Sequence, residues 1–513
     1  MSATPATSTG AVTLRPATLA DADLLLEWAN DPEVREASFN SGLIERVEHV
    51  AWLRERLEDP SVAFYIAECE GRSVGYSRLE RRGDDRAEIA VSVDRRFRGQ
   101  GLGRRIIVLG SARGREELGV WRVVAHVKSA NEASVRAFRA AGFGQSRQAG
   151  DEAMELILDE PLTVPHSRPF VGEAEVQAAA AVVRSRALVH GRVAAELEAT
   201  WCELTGMSAA ACVGSGVAAL RLALLGLGVG AGDEVIVPAY SCVALLNAPL
   251  SLGATPVLAD VESDRWTIAP DDAAARLTER TRAIVAVDLF GAPAALDDLC
   301  SMGVPVVEDC AHGIGGRTAL GPFGGGTDIS LSSFYATKMI GAGEGGIVAA
   351  RDPELIERVR AARNYGDRLP SGRNLNDKLT DVEAAIALEQ IRRLDEILAL
   401  RAERAGRYAS LLAPLVEAGA VVLPIDEPGR IWYRYVVRLT RHPASEVCAL
   451  AAARGVRLEQ PVWDLRAAHE WSDDLVESAA AFTSVISLPL YPDLSTSELE
   501  AVADTFADIL RAA

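Results

Sequence analysis

At 513 residues the chain is too long for one ordinary domain, and two or three are expected. Half of it is apolar, enough for substantial cores. Its formal charge of −19 argues against nucleic acid or an anionic membrane as the main partner, while arginines and helix N-termini still leave room for an anionic small molecule.

The opening residues lack a charged start followed by an apolar run, so no secretory leader is expected. No apolar run reaches the ~18 residues of a membrane span. Seven cysteines stand singly without a CxxC pair, which is neither a disulfide framework nor a zinc pattern, and no metal is expected. These features describe a cytoplasmic enzyme.

In chain order, the first ~160 residues mix helical stretches with strand-like runs such as Ala63–Glu68 and Ala87–Val93. The second run leads through Val91 and Val93 into Arg98-Gly99-Gln100-Gly101-Leu102-Gly103-Arg104, with a helix predicted from about Leu102. Glycines there let backbone N–H groups close around a pyrophosphate at a helix N-terminus, with arginines adding charge. Further on stands His126-Val-Lys128, then Asn131-Glu-Ala-Ser134, Phe138 and Gly142-Phe143.

A break follows at 161–169, where Pro161, Pro165 and Pro169 interrupt regular structure. It separates a domain at 1–160 from one at 170–513 and is expected to act as a flexible linker. Beyond it, apolar strands at 234–238, 255–259, 283–287 and 304–308 alternate with amphipathic helices, which predicts a mainly parallel α/β sheet.

Three segments of this second part carry chemistry. Gly214-Ser215-Gly216 is a turn opening onto a helix, suited to a phosphate. Asp309 ends a strand, with His312 three residues on. Lys338 follows Ser332-Ser333-Phe334 and precedes a glycine-rich exit. The chain has three lysines (Lys128, Lys338, Lys378) against 50 arginines, so a surviving lysine is a candidate for needing an amine, since arginine can neither form a Schiff base nor lose its proton near neutral pH.

The N-terminal motifs, with Thr13-Leu14-Arg15-Pro16, resemble the GNAT acetyltransferase superfamily. The resemblance implies an α/β acetyltransferase binding acetyl-CoA through Val91, Val93, Arg98, Gly99, Gly101, Gly103, Arg104 and Asn131. Glu88 is then the base candidate, with an ordinary exposed strand carboxylate as the alternative. Phe138 occupies a position where many relatives carry an acidic tyrosine.

The C-terminal segments resemble the DegT/StrS aminotransferases, of PLP fold type I. Further residues carrying that resemblance are Val237-Pro-Ala-Tyr240, Gly343-Glu-Gly-Gly346, Asn376-Asp-Lys378 and Ser487-Leu-Pro-Leu490. It implies Lys338 as Schiff-base lysine and proton shuttle, Asp309 as partner of the pyridine nitrogen, and His312 beside the cofactor, a core histidine being the alternative. Ser215, Gly216 and Ser333 become phosphate contacts. Asn376 reaches the phosphate in a neighbouring protomer, which makes the protein a homodimer, and Lys378 fills a Lys/Arg position of the same motif.

Three departures stand out: Cys242 where relatives have an aromatic ring, Val217 for threonine, and Asp288 for histidine. Arg363 and Tyr365, before Gly366, face the substrate or belong to a surface loop.

Together the resemblances imply amination of a nucleotide-linked keto-deoxy sugar, with glutamate as donor, followed by acetylation of the new amine. A keto-cyclitol or aminoglycoside precursor is the alternative substrate. A PLP-binding regulator or scaffold protein is the alternative of another class.

Overall fold

The computed structural model describes residues 12–83, 86–120, 122–148, 153–159, 163–364, 375–463 and 472–512. The chain divides into two compact units, 1–162 and 163–513, described in turn.

The first unit is built on a seven-stranded sheet of order β1-β2-β3-β4-β5-β7-β6. The strands are β1 (Val12–Pro16), β2 (Val62–Cys69), β3 (Arg72–Arg81), β4 (Arg86–Val93), β5 (Arg122–Lys128), β6 (Gln145–Gln148) and β7 (Ala153–Asp159). All neighbours are antiparallel except β4 and β5.

Helices α1 (Ala22–Ala29), α2 (Pro32–Ala37) and α3 (Arg46–Glu58) precede β2. Helices α4 (Leu102–Leu118) and α5 (Glu132–Ala140) follow β4 and β5. Strand β2 is buried almost throughout, because its run Val-Ala-Phe-Tyr-Ile-Ala has apolar side chains for both faces. Helix α4 starts at Leu102, as its sequence predicts. It packs on β3 so tightly that a Cβ at Gly110 would lie 2.1 Å from Ser77 Oγ, and one at Gly114 2.7 Å from Leu79.

The second unit centres on a seven-stranded mixed sheet. Its strands are β8 (Ala209–Val213), β9 (Glu234–Pro238), β10 (Thr255–Ala259), β11 (Thr281–Val287), β12 (Val306–Asp309), β15 (Ile329–Ser333) and β16 (Gly346–Ala350), in the order β10-β9-β11-β12-β15-β16-β8. A small hairpin, β13 (Arg317–Thr318) with β14 (Gly321–Pro322), interrupts the sequence.

Only β16 runs against the others, so β8, β12 and β15 all end at one edge. Helices α7 (Arg192–Thr205) and α8 (Gly216–Gly226) pack on it, with α6 (Glu173–Ser185) preceding them in the chain, and α8 buries Leu220, Leu222 and Leu224 completely or nearly so. A three-stranded sheet, β17 (Val421–Val422), β18 (Tyr435–Leu439) and β19 (Val485–Leu488), forms the smaller C-terminal layer. The α/β class and the mainly parallel sheet expected from the sequence are both present.

The proline-rich stretch differs from expectation. Residues 163–169, expected as linker, are docked on the second unit. Val164 pairs with Val456, His166 Nε2 lies 2.9 Å from Ser487 Oγ, and Arg168 reaches Glu498 at 3.2 Å. The prolines keep this segment extended, and its other side chains fasten it.

His166 is buried, and that burial, with repulsion from Arg434 and Arg457, drives its imidazole down to about 3. The unfolded chain therefore takes up a proton at a pH where the folded one refuses it. Stability is full above the ordinary histidine value of about 6.5 and falls as pH drops from there toward 3. His166→Gln, which can keep a bond to Ser487, is expected to lose less stability between pH 6.5 and 4.5 than the wild type. Denaturant unfolding at several pH values checks this, and parallel pH slopes would refute it.

Candidate functional site

In the second unit the sheet edge collects the three predicted segments. Strand β8 ends at Val213, and Ser215 caps α8, its Oγ accepting from Ala218 N at 3.1 Å. Ser333 ends β15 and stands against the first residue of α8: a Cβ added at Gly216 would come within 2.8 Å of Ser333 Cβ. Two hydroxyls and a helix N-terminus thus converge in a cradle that only glycine permits, which suits a phosphate.

Asp309 ends β12, nearly buried, with Oδ1 accepting from Ala311 N at 3.0 Å. Burial raises its carboxyl, while Ala311 N–H and the Lys338 charge oppose the rise. Lys338, partly buried, lies in the loop between β15 and β16, its Nζ 5.2 Å from the centre of the Tyr433 ring.

His312 is bracketed by rings, 4.3 Å from Tyr433 and 6.0 Å from Phe290, both stacked. Burial and the charges of Lys338 and Arg434 hold it well below its ordinary value, so it is neutral. Its Nδ1 accepts from Phe290 N at 3.4 Å, which leaves the proton on Nε2. Phe290 holds a left-handed φ of 57° to make this contact, a strained conformation for a bulky residue.

Asn376 is exposed. The next residue, Asp377, accepts from Gly214 N at 2.8 Å and pairs with Arg221 of α8, so the 376–378 segment borders the cradle.

Arg363 does not face a substrate. It is buried, bonded to Glu198 at 3.0 Å and to Cys212 O at 2.6 Å. Tyr365 and Gly366 lie outside the described residues.

In the first unit, Gly99 and Gly101 take left-handed φ values of 76° and 75°, and each would point a Cβ into open space. Gly101 caps α4, and Val91 and Val93 lead into this turn. Arg104 is exposed, and Gly103 packs by Val93. Arg98 is engaged by Asp31 at 3.0 Å, Glu33 at 2.6 Å and Val93 O at 3.1 Å. Asn131 caps α5, accepting from Ser134 N at 3.0 Å. Phe138 is buried edge-on to Phe143, so it is a core residue. Glu88 stands on β4, half-exposed, beside His126 at 3.1 Å and Arg82 at 3.3 Å.

Residues 169–507 match the model of the DegT/DnrJ/EryC1/StrS aminotransferase family. The chain belongs to this family. Residues 11–144 match the acetyltransferase (GNAT) domain.

Among solved structures, S. venezuelae DesV, in complex with a ketimine intermediate, is 32% identical over 66% of this chain and 94% of that one, with a TM-score of 0.61. The aminotransferase TlmJ from Streptoalloteichus hindustanus is 31% identical, covering 68% of this chain and 99% of that one, TM-score 0.63. A 3-amino-5-hydroxybenzoic acid synthase is 26% identical over 69% and 100%, TM-score 0.62. The chain is thus an enzyme that joins a PLP-dependent aminotransferase to an acetyl-CoA-dependent acetyltransferase.

For an aminotransferase of this family, the departures have structural consequences. Cys242 and Val217 are both exposed at the sheet edge. Asp288, where histidine was expected, is fully buried beside Glu308. Glu308 accepts from Gly324 N at 2.8 Å and Gly326 N at 3.0 Å.

Burial and the Glu308 charge push Asp288 well above the carboxylate range. Its Oδ1 accepts from Ala294 N, while no donor among the described residues reaches the buried Oδ2. A proton kept between the Asp288 and Glu308 side chains would satisfy both acids.

Tyr433 is a residue that motif reasoning missed. Burial works to raise its phenol, but Lys338, Arg434 and a hydrogen bond with Thr337 outweigh it, bringing it down to about 8. Its only sequence signal is the aromatic run Trp432-Tyr433-Arg434-Tyr435.

The raised Asp288 carboxyl gives a prediction. A group whose folded value lies above its unfolded one contributes stability below about pH 4 that is lost as pH rises. Asp288→Asn keeps a donor for Glu308 without the titration. The variant is expected to gain on the wild type as pH rises above about 4, by up to about 1.4 kcal/mol per unit. Chemical denaturation across that range checks it, and a pH-independent difference would refute it.

Proposed function

We propose that this enzyme aminates a nucleotide-linked keto-deoxy sugar, with glutamate as donor, and then acetylates the new amine. The observation that supports it is the meeting of Lys338, Asp309 and the Ser215–Gly216–Ser333 cradle at one sheet edge, in a chain that also carries an acetyltransferase. Acetylation removes the charge and basicity of the amine, which makes the overall conversion hard to reverse.

The residues fit PLP: an amine, a buried carboxylate and a glycine-floored anion cradle in one place. When bound, that cofactor supplies an electron sink for the carbon that exchanges nitrogen. Ser215, Ser333 and the α8 N-terminus hold its phosphate. Asp309 keeps a proton on the ring nitrogen, and the opposing carboxylate charge is what stabilises that proton. Lys338, whose amine would anchor the cofactor, would also take up the proton released at the substrate carbon. His312 donates from Nε2, its ring fixed by Tyr433 and Phe290. Asn376 completes the cradle of a neighbouring copy, so the working unit is a homodimer. In the first unit, the Gly99–Gly103 turn and Arg104 receive the coenzyme's pyrophosphate.

A keto-cyclitol or aminoglycoside precursor is a second reading. It is favoured by Cys242 standing where an aromatic ring was expected, which changes the room beside the cofactor.

The test is incubation of the full chain with glutamate, acetyl-CoA and a panel of nucleotide keto-sugars and keto-cyclitols, read by mass spectrometry. An acetamido sugar is the expected product, and an acetylated cyclitol amine would select the second reading. Lys338→Ala is expected to lose amination completely while still acetylating a supplied amino sugar. Lys338→Arg should do no better. Full amination in either variant would sink the assignment.

Gly101→Glu places a side chain at a left-handed position and a negative charge beside a diphosphate. It should aminate normally and accumulate the free amine. Mixing Lys338→Ala with Asn376→Ala under subunit exchange should restore some amination, since one mixed site is intact. No recovery, with exchange verified, would count against the shared site.

A further inference from the structure

Strands β4 and β5 run parallel but pair only at Arg86–Arg122, Ala87–Val123 and Glu88–Val124. Both continue beyond that point, so they part directly after Glu88. His126 stands two residues past Val124 and therefore on the same face of the sheet as Glu88. Across the next ladder, His126 is directly opposite Glu155 of β7.

The imidazole thus sits between two carboxylates, Nδ1 3.1 Å from Glu88 and Nε2 3.2 Å from Glu155. Its side chain is 34% exposed, so it is held and yet reachable. Register places Arg86, Arg122 and Lys128 on this face as well, with Arg78 and Glu80 on β3. Arg82 joins Glu88 to Glu80, and Glu80 also takes Arg78 and Arg56. Lys128 is turned to Glu36 O at 2.9 Å.

Neutral imidazole has one N–H and can donate to only one carboxylate, leaving its other nitrogen lone pair facing the second. The ring satisfies both only when it carries a second proton.

Glu88 is a poor alternative. Burial works to raise its carboxyl, but His126 and Arg82 outweigh that and hold it below its ordinary value, and a base far below the working pH accepts protons weakly.

We propose that His126, rather than Glu88, takes the proton from the acceptor amine, with Glu88 and Glu155 as positioning residues that stabilise the protonated ring. This rests on the reading that the first unit acetylates an amine. The amine arrives as ammonium and gives one proton to the imidazole, which frees the nitrogen lone pair. The N–C bond forms as the thioester C–S bond breaks, the second N–H proton ends on the coenzyme sulfur, and the ring returns its proton to solvent.

The test uses the full chain, acetyl-CoA and a nucleoside-diphosphate 4-amino-4,6-dideoxyhexose. His126→Asn is expected to lower kcat for acetylation by about 100-fold or more, with acetyl-CoA affinity and amination unchanged. NMR of the labelled histidine rings, the His126 signal being the one lost in His126→Asn, reads its titration directly. Glu155→Gln should move that midpoint to lower pH, because the protonated ring loses a partner, and the acid limb of kcat/KM should move with it.

Near wild-type kcat in His126→Asn, with Glu88→Gln inactive, would overturn the proposal in favour of Glu88. If the wild-type chain leaves this amine unacetylated, the substrate reading above fails. The titration then decides alone, and equal midpoints in wild type and Glu155→Gln overturn the proposal.

Discussion

The second unit depends on one close contact, the packing of Ser333 against Gly216. It joins the end of β15 to the start of α8, segments more than a hundred residues apart, and it exists because β16 bridges β8 and β15 in antiparallel register. A side chain at 216 would force the two strand ends apart. With them would go the spacing between the cradle, Asp309 and the Lys338 loop. The sheet therefore acts as a ruler, holding the hydroxyl-lined start of α8 and the amine-bearing loop at a fixed separation.

What could be read from the chain beforehand follows from how local each feature is. Lys338, Asp309 and Gly214–Gly216 lie in short segments whose residue types already state their chemistry, and the structure sets them on one edge. The strand at 234–238 is apolar at every position after Glu234 and is buried on both sides, so pattern and structure coincide there.

Tyr433, the Asp288–Glu308 pair and the His126 cluster come from cross-strand register and long-range packing, which no single segment records. Arg363 misled for the same reason: a loop-adjacent arginine looks available until Glu198 and the Cys212 carbonyl are brought to it. The stretch 163–169 misled in another way. Its prolines do break regular structure, but an irregular segment can still be fastened, here by Val164, His166 and Arg168.

The two units manage charge by different means. In the second, the acids about the Lys338 edge are buried and answered by backbone N–H groups, as at Asp309 and Glu308. In the first, the Glu88 carboxylate lies at a sheet face between His126 and Arg82, where water screens each pair and single contacts contribute little. The buried set can hold a cofactor rigidly; the open set can exchange partners as substrates come and go.

Arg98 shows what such exchange entails. Its guanidinium is already shared between Asp31 at the start of α2 and Glu33 within it, at the mouth of the glycine turn. Any diphosphate that reaches Arg98 meets a cation with two anions in place. Binding there is a substitution, and its free energy is the difference between two paired states rather than the worth of one new pair. The helix released by that substitution is the one whose far end is tied to Lys128 through Glu36 O. Occupancy of the turn is thereby coupled to the freedom of a helix anchored beside the parting strands.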